Sequence, residues 1–294
     1  MPTWPDDAVV EMIEDEAVGV TGEAGRSARA VVLCDLDGVV WLAHRPIEGS
    51  VEAIARLRAA GHPVWFVTNN SVPRVEEHEA ALAAIGVPAE GAVLTAAMAA
   101  ANLLVPGSRV LVCGGDGIVQ SMERAGAEVI PPDLVDAGAP VDAVVVGLLR
   151  SFDYGWLART SSMVRRGAML IGTNEDATYP TPSGPVPGGG AILAAVRTAA
   201  GTVPTVAGKP HEPMAALVRS VVGVERLASA VMVGDRPDTD GRFARRIGCR
   251  YAHVRSGVTG VGDPLDPAPD LVADDLAGIA DRLLAEPPVS PGRQ

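Results

Sequence analysis

The sequence predicts an α/β fold, a parallel sheet covered by helices, into which a second α/β segment is inserted. Short apolar runs bounded by polar residues, such as residues 31–34 and 63–67, are typical of strands that are buried on both faces. Helix-like segments separate these runs, and such alternation is the pattern of parallel sheets. Similar runs return late in the chain after a long middle segment, which indicates an insertion.

The first two predicted strands are each followed directly by polar residues. Asp35 and Asp37 follow the first strand, and Thr68 and Asn69 follow the second. Because a βαβ crossover is right-handed and makes its two strands parallel, both pairs leave the sheet at the same edge. Ligands of open α/β sheets bind at this carboxyl edge, so the four residues are candidates for a functional site.

Two later apolar runs end in the same way. One is followed by Lys209, and the other by Asp235, with Asp240 close behind. The segment before them has its own alternation of strands and helices, including a helix predicted at residues 93–104. The predicted organisation, in chain order, is an acidic N-terminal extension (1–27), the first part of the core (28–90), an inserted domain (91–203), the second part of the core (204–286) and a mobile tail (287–294).

Together the four strand ends offer carboxylates, a hydroxyl, an amide and a lysine. Carboxylates are hard oxygen ligands that suit Mg²⁺, and a carboxylate nucleophile can form an aspartyl-phosphate. A hydroxyl, backbone amides and a lysine can neutralise phosphoryl oxygens as charge redistributes. Each group also has an ordinary structural interpretation as a turn, a surface lysine or a helix cap. Their coincidence at four strand ends favours a phosphate-transferring site.

Four short motifs stand at these strand ends: Asp35-Leu36-Asp37-Gly38, Thr68-Asn69-Asn70, Lys209-Pro210 and Gly234-Asp235-Arg236-Pro237-Asp238-Thr239-Asp240. Their order resembles the haloacid dehalogenase-type (HAD) phosphatases. The long insertion before Lys209 and a candidate cap-exit motif resemble the NagD-type branch, which has a large α/β cap. That exit motif comprises Gly172-Thr173-Asn174-Glu175-Asp176, Pro180, Gly184 and Pro187-Gly188-Gly189-Gly190.

The resemblance implies a Rossmann-like parallel-sheet core with an inserted α/β cap. It implies a Mg²⁺-dependent phosphatase that acts on a small phosphorylated metabolite through an aspartyl-phosphate. Glycerol 3-phosphate or a related polyol or sugar phosphate is the expected substrate, and phosphoglycolate, pyridoxal phosphate and nucleotides are the alternatives within the branch. A homodimer formed through the cap is also implied. In the exit motif, Asn174 and Asp176 are candidates for substrate contacts, although a turn would explain them as well.

The resemblance also implies catalytic roles for three residues. Asp35 would be the nucleophile and a metal ligand. Asp37 would protonate the leaving alcohol and then activate water, with its carbonyl oxygen on the metal. Lys209 would screen the charge between Asp35 and the phosphate. A dehalogenase of the same superfamily does not need the second aspartate of the pair, so Asp37 favours phosphate chemistry.

Four further residues complete the implied site. Thr68 and the Asn69 amide would hold the phosphoryl group. Asp235 would be the side-chain metal ligand, and Asp240 would support it from behind.

The sequence departs from the branch at two places. Leu149 stands where an acidic residue is frequent, and the loop 41–46 contains less glycine than expected. Both departures bear on the choice of substrate. His44 and Arg45 in that loop are able to meet an anionic substrate, although a solvated loop is the simpler interpretation.

Composition excludes several classes of partner. The formal net charge of −12 argues against nucleic acid and anionic membranes, because phosphates need an excess of cations. Three isolated cysteines indicate neither a disulfide framework nor a zinc site, so we expect a cytoplasmic protein. Two other functions fit the residues: a phosphomutase, and a non-catalytic phosphate-binding protein that resembles a receiver domain.

Overall fold

The structure is a computed structural model, and it describes residues 29–179 and 184–287. The predicted N-terminal extension (1–27), Pro180 of the exit motif and residues 288–294 of the predicted tail lie outside the described residues. In the described ranges, no helix combines the length and the apolar character needed to cross a membrane.

Strands and helices alternate through most of the described chain. The strands are β1 (Val32–Cys34), β2 (Trp41–Leu42), β3 (Arg45–Pro46), β4 (Val64–Thr68), β5 (Val93–Thr95), β6 (Arg109–Cys113), β7 (Glu128–Val129), β8 (Ala143–Val146), β9 (Met169–Gly172), β10 (Thr178–Tyr179), β11 (Val186–Pro187), β12 (Thr205–Val206), β13 (Val231–Gly234), β14 (Arg250–Val254) and β15 (Leu271–Ala273). The helices are α1 (Ser50–Ala59), α2 (Val75–Ala84), α3 (Ala96–Ala101), α4 (Asp116–Arg124), α5 (Pro132–Asp136), α6 (Tyr154–Arg165), α7 (Gly189–Ala200), α8 (Glu212–Val222), α9 (Val224–Leu227), α10 (Arg242–Ile247) and α11 (Leu276–Ala285).

The core sheet has six parallel strands in the order β15-β14-β13-β1-β4-β5. From β1 the chain winds outward to β4 and β5, and the later strands start again on the other side of β1 with β13. The strand order therefore reverses between β1 and β13. In open α/β sheets this switch point is where loops diverge and leave a crevice for a ligand.

The cap sheet has five parallel strands in the order β12-β9-β8-β6-β7. Two small antiparallel hairpins accompany the sheets. The hairpin β2–β3 follows β1 of the core sheet, and the hairpin β10–β11 follows β9 of the cap sheet. Two parallel sheets joined by helices confirm the predicted α/β fold class.

The alternation of side chains along β1 shows why this strand is apolar throughout. Val31 and Leu33 face one apolar cluster, which contains residues of α3, α8 and α10. Val32 and Cys34 face a second cluster, which contains residues of α1 and α11. Because both faces are covered, none of these side chains is more than 1% exposed.

The helix predicted at 93–104 is wrong in its first turn. Val93 and Leu94 belong to β5, which pairs with β4 at the edge of the core sheet. The helix α3 starts after Thr95, whose side chain accepts a hydrogen bond from Met98 N at 3.2 Å. A short apolar run that leads into an alanine-rich helix has no break in its pattern, so the strand was not distinguishable by periodicity.

The predicted boundaries of the inserted domain also differ from the way the strands are divided between the two sheets. Strand β5, in the segment predicted to be inserted, lies in the core sheet, whereas β12, in the segment predicted to be core, pairs with β9 of the cap sheet. Lys209 follows β12 closely and reaches the core site, so β12 looked like a core strand in the sequence.

Candidate active site

The candidate site lies at the carboxyl edge of the core sheet, at its switch point. Val32 of β1 is level with Val231 of β13, and Cys34 is level with Val233. Because the two strands are parallel and in register, the residues that follow them leave the sheet side by side. Asp35 even continues the pairing, since its N–H donates to Val233 O at 2.9 Å.

Three carboxylates from two of these loops converge at this edge. Asp35, Asp235 and Asp240 each place a carboxylate oxygen within 4.8 Å of the others. Lys209 lies among them: its Nζ is 3.0 Å from Asp35 Oδ1 and 2.7 Å from Asp240 Oδ1. The structure thus brings together four predicted site residues, the outermost of which, Asp35 and Asp240, are 205 positions apart in the chain.

The Asp235 carboxylate is enclosed by backbone. Its Oδ2 accepts a hydrogen bond from Val258 N at 2.6 Å. Gly257 has no room for a side chain, because a Cβ there would lie 2.0 Å from the same oxygen. Burial raises the pKa of Asp235 to about 8, and the charges of Asp240 and Asp35 add to the rise.

Asp240 is held by a short π-helical turn, Pro237–Gly241, that follows β13. Its Oδ2 accepts a hydrogen bond from Arg236 N at 3.2 Å, while Oδ1 faces Lys209. Burial raises the pKa of Asp240 to about 6, although Lys209 opposes the rise. Isolated π-helical turns are frequent at functional sites, where the extra residue redirects a side chain.

Lys209 is itself buried, and only 2% of its surface is exposed. Burial alone lowers the pKa of a lysine, but the negative charges of Asp240 and Asp35 outweigh that effect and raise it. The ammonium group therefore stays charged and forms ion pairs with two carboxylates. Breaking either pair would leave a buried charge without its partner, which is costly.

The carboxylate cluster fits a divalent cation. Asp235 Oδ1 is buried and accepts no hydrogen bond from the described residues, so it is free to coordinate a ligand. Three carboxylates face one ammonium group, which leaves an excess of negative charge in a buried place. Burial also raises the pKa of Asp35, and the positive charge of Lys209 opposes the rise. A bound cation would stabilise the ionised carboxylate further. Hard oxygen donors of this kind suit Mg²⁺.

Asp37 lies in the turn that follows β1. It lines the cavity of about 100 Å³ that also contains Asp35 and Lys209. Burial raises its pKa to about 6, and Lys209 partly opposes the rise. Gly38 adopts φ +86°, and a Cβ at this residue would lie 2.6 Å from Asp235 Oδ2. Only glycine allows the chain to turn this closely around the carboxylates.

Thr68 and Asn69 reach the same cavity from the end of β4. Thr68 Oγ1 accepts a hydrogen bond from Asn70 N at 3.0 Å, which leaves its own O–H free to donate. The Asn69 side chain pairs with both backbone groups of Lys209: Oδ1 accepts from its N–H at 2.8 Å, and Nδ2 donates to its carbonyl at 3.1 Å. Asn69 therefore positions the loop that carries Lys209.

The two candidate residues of the cap also line this cavity, but their side chains are engaged with the core. Asn174 is buried and donates from Nδ2 to Asn69 O at 2.9 Å. Asp176 Oδ1 lies 3.3 Å from Arg236 Nη1, and its Oδ2 accepts from Asn69 Nδ2 at 3.3 Å. These contacts tie the cap exit to the core, so both residues have a positional role that the sequence did not indicate.

The loop that departs from the family pattern forms the β2–β3 hairpin. Its two turn residues, Ala43 and His44, have positive φ angles of 49° and 62°. Such angles are unusual outside glycine and cost free energy. Leu42 lines the active-site cavity, and His44 lines a second cavity beside it. Arg45 is exposed and lines neither of them.

Sequence reasoning missed the loop after β14. Ser256 Oγ donates to Gly38 O at 2.7 Å, and Gly257 and Val258 enclose Asp235. The available signal was Ser-Gly shortly after a buried strand, the same pattern that identified the other strand ends. It also missed Tyr179, which lines the cavity from the cap hairpin.

Known protein families and curated relatives match this chain. The haloacid dehalogenase-like hydrolase family matches residues 32–128, and the HAD-hydrolase-like family matches residues 206–279. D-glycerol 3-phosphate phosphatase from Mycobacterium tuberculosis is 35% identical over 274 residues, which are 90% of this chain and 74% of that protein. Acid sugar phosphatase from Staphylococcus saprophyticus is 32% identical, over 77% of this chain and 86% of that protein.

A solved structure is also similar. The crystal structure of glycerol phosphate phosphatase from Mycobacterium tuberculosis in complex with magnesium aligns with a TM-score of 0.74 at 32% identity. The alignment covers 87% of this chain and 76% of that chain. The chain therefore belongs to the haloacid dehalogenase-like hydrolase family. This confirms the predicted resemblance and favours a hydrolase over a receiver-like protein.

Proposed function

We propose that this protein is a magnesium-dependent phosphatase that hydrolyses small phosphomonoesters, with polyol or sugar phosphates as its substrates. The convergence of Asp35, Asp235 and Asp240 within 4.8 Å, with Lys209 between two of them, carries the proposal. The relatives named as glycerol 3-phosphate and acid sugar phosphatases support the reaction and the class of substrate. Phosphoglycolate, pyridoxal phosphate and nucleotides remain the alternatives to test.

Asp35 is the proposed nucleophile. A carboxylate oxygen of Asp35 bonds to phosphorus while the ester oxygen leaves, which gives an aspartyl-phosphate and an alcohol. Asp37 gives its proton to the departing oxygen and then takes a proton from the water that attacks the aspartyl-phosphate. That second step releases inorganic phosphate and regenerates the Asp35 carboxylate.

The remaining site residues bind and orient the phosphoryl group. Thr68 donates its free O–H to a phosphoryl oxygen, and the Asn69 N–H donates to another. Lys209 holds Asp35 in place and screens its charge from the phosphate, because its ammonium lies 3.0 Å from the nucleophile.

The residues that would hold Mg²⁺ are the Asp35 and Asp235 carboxylates and the Asp37 carbonyl. Asp240 supports them through Lys209 and the turn before it. When bound, the cation supplies positive charge that offsets the charge of the phosphoryl oxygens and of the carboxylate cluster.

The experiment is phosphate release from a panel of esters by the wild type and by Asp35→Asn. The substitution keeps the size of the side chain but removes the nucleophile. Turnover of p-nitrophenyl phosphate should fall by about 10³-fold or more. Asp238→Asn, in an exposed residue of the neighbouring turn, is the matched control and should keep activity. A folded Asp35→Asn protein with wild-type turnover would overturn the assignment of the nucleophile.

The division into domains, the oligomeric state and the location also remain proposals. We place the start of the cap after α3 and its end after β12, because those elements bound the two sheets. A homodimer through the cap is supported by the resemblance and by exposed apolar residues of the cap such as Tyr154. Light scattering tests the dimer. A cytoplasmic location agrees with the free, buried cysteines, and cell fractionation tests it.

A further inference from the structure

A second cavity of about 600 Å³ lies directly beside the active-site cavity. Val72 and Leu148 line both cavities, so the two are adjacent compartments of one cleft between core and cap. A substrate whose phosphoryl group lies against Asp35 can therefore extend its alcohol portion into the second cavity. Arg150 and Ser151 of the cap and His44 of the core hairpin line this space.

Tyr179 lines the active-site cavity, whereas Arg150 lines the second cavity. Among the described residues that line the two cavities, Tyr179 is the one tyrosine, and neither phenylalanine nor tryptophan lines them. Burial raises the pKa of its hydroxyl, the negative charge of Asp37 adds to the rise, and Arg150 opposes it. The ring is thus within electrostatic reach of both Asp37 and Arg150. Asp37 is the residue that meets the leaving alcohol in the proposed mechanism.

Arg150 lies over the Tyr179 ring, with its Cζ 5.9 Å from the ring centroid. Within residues 29–179 and 184–287, the Arg150 guanidinium makes this cation–π contact but no ion pair or hydrogen bond. Lys209 and Arg236, the other cations at the site, are each paired with carboxylates. Leu149 stands where the family often has an acid, and it packs against the cap cluster instead.

The charges of the second cavity indicate the class of leaving group. Arg150 is its fixed cation, while Glu77 and Asp116 add two carboxylates. An alcohol with a second negative group would meet repulsion from these carboxylates. A neutral alcohol with several hydroxyls can instead accept hydrogen bonds from the guanidinium and present its C–H groups to the Tyr179 ring.

We propose that Arg150, positioned by the Tyr179 ring, recognises hydroxyl groups on the leaving alcohol and so gives the enzyme its preference for polyol phosphates. This inference rests on the proposed phosphatase function and adds specificity residues to it. Arg150 contacts the substrate, whereas Tyr179 acts mainly by holding the guanidinium in place. Neither residue was identified as a site residue by the sequence motifs.

The test compares glycerol 3-phosphate with propyl phosphate, which has the same carbon chain without the two hydroxyls. The measured quantity is the ratio of kcat/KM for the two esters. In the wild type this ratio should be well above one. Arg150→Ala should lower it by about tenfold to a hundredfold, because hydrogen bonds to a charged donor are lost with one substrate and not with the other.

Three further variants separate recognition from general damage. Arg166→Ala removes an exposed arginine elsewhere on the cap and should leave both rates unchanged. Tyr179→Phe keeps the ring and should keep the ratio, whereas Tyr179→Ala should lower it by about two- to fivefold, the size of an exposed cation–π contact. If the ratio is kept in Tyr179→Phe and lowered in Tyr179→Ala, the ring positions Arg150 and the hydroxyl is not needed.

Two outcomes would overturn the inference. One is an unchanged ratio in Arg150→Ala, which includes equal losses on both esters, and the other is a preference of the wild type for phosphoglycolate that Arg150→Ala abolishes. The last result would mean that Arg150 recognises a carboxylate on the leaving group rather than hydroxyl groups. Failure of the proposed function looks different, because the wild type would then release phosphate from none of these esters, including p-nitrophenyl phosphate.

Discussion

At the scale of single residues, the site is shaped by positions that have no side chain. Gly38 and Gly257 approach the Asp235 carboxylate from two loops, and a Cβ on either would come within 2.6 Å of Oδ2. The carboxylate is thereby held with Oδ2 toward the backbone, while Oδ1 accepts no hydrogen bond from the residues that the structure describes. Small displacements of this group should therefore change metal affinity more than they change stability.

Gly257→Ala tests this reasoning. The new methyl group would lie 2.0 Å from Asp235 Oδ2, so the carboxylate must move. We expect the Mg²⁺ concentration for half-maximal activity to rise by about tenfold or more, the usual effect of disturbing the groups behind a metal ligand. Titration of activity with Mg²⁺ measures this.

Gly260→Ala is the matched control in the same loop. Its Cβ would lie 3.8 Å from the nearest other atom, Asp263 Oδ2, which is ordinary contact. This variant should keep the wild-type dependence on Mg²⁺. Equal shifts in both variants would show that the loop, rather than the Asp235 contact, sets the affinity.

At the scale of elements, the packing of α4 against the core explains why glycines stand at its start. Gly115 and Gly117 lie at the start of α4, directly against Val72 and Pro73 of the core. Gly117 N also donates to Val72 O at 2.9 Å. The glycines let a cap helix touch the core backbone, and the apolar cluster continues from the core sheet through α3 to Ile118 and other cap residues.

Gly117→Ala should destabilise the protein although alanine favours helices. Helix propensity alone would stabilise by about 1 kcal/mol. A Cβ at Gly117, however, would lie 2.0 Å from Pro73 O, a backbone atom that cannot give way cheaply. We expect a net loss of about 1–3 kcal/mol in the free energy of unfolding, the usual cost of overpacking, measured by urea denaturation.

Gly155→Ala provides the comparison, because it also lies in the first turn of a cap helix. Its Cβ would meet only the Asp153 side chain, at 3.2 Å. This substitution should be neutral or stabilising. If Gly117→Ala were equally tolerated, close contact between α4 and the core would not contribute to stability.

At the scale of the whole molecule, charge is the dominant constraint. The chain carries a formal net charge of −12, and its site adds a cluster of buried carboxylates. A ligand that binds only the folded protein stabilises it in proportion to the logarithm of its concentration over Kd. Mg²⁺ should therefore stabilise the fold as well as permit the reaction.

The expected effect of Mg²⁺ at 100 times its Kd is about 2.7 kcal/mol, which corresponds to a Tm higher by about 4–6 °C for a chain of this length. EDTA should remove both this rise and the activity, and added Mg²⁺ should restore them. Asp235→Asn should lose the Tm rise, and Asp238→Asn should keep it. Full activity in metal-free protein, or an equal Tm rise in Asp235→Asn, would contradict the metal site.

Much of the fold and the centre of the site could be predicted because both follow from local patterns. Apolar runs covered on both faces identify β1, β4, β13 and β14, and polar residues directly after such runs mark the carboxyl edge. The pattern failed where it was short. Strand β5 merges with the helix after it, and β12 has only two residues, so neither run shows which sheet it joins.

The sequence by itself determined the α/β class, the insertion and the order of the residues that meet at the site. Only the tertiary structure decided that Gly257 encloses Asp235, that Asp176 pairs with Arg236, and that Arg150 lies over Tyr179. The physical reason is that strand and helix patterns depend on neighbours along the chain. Enclosure and pairing depend instead on atoms that come close only after distant segments pack together.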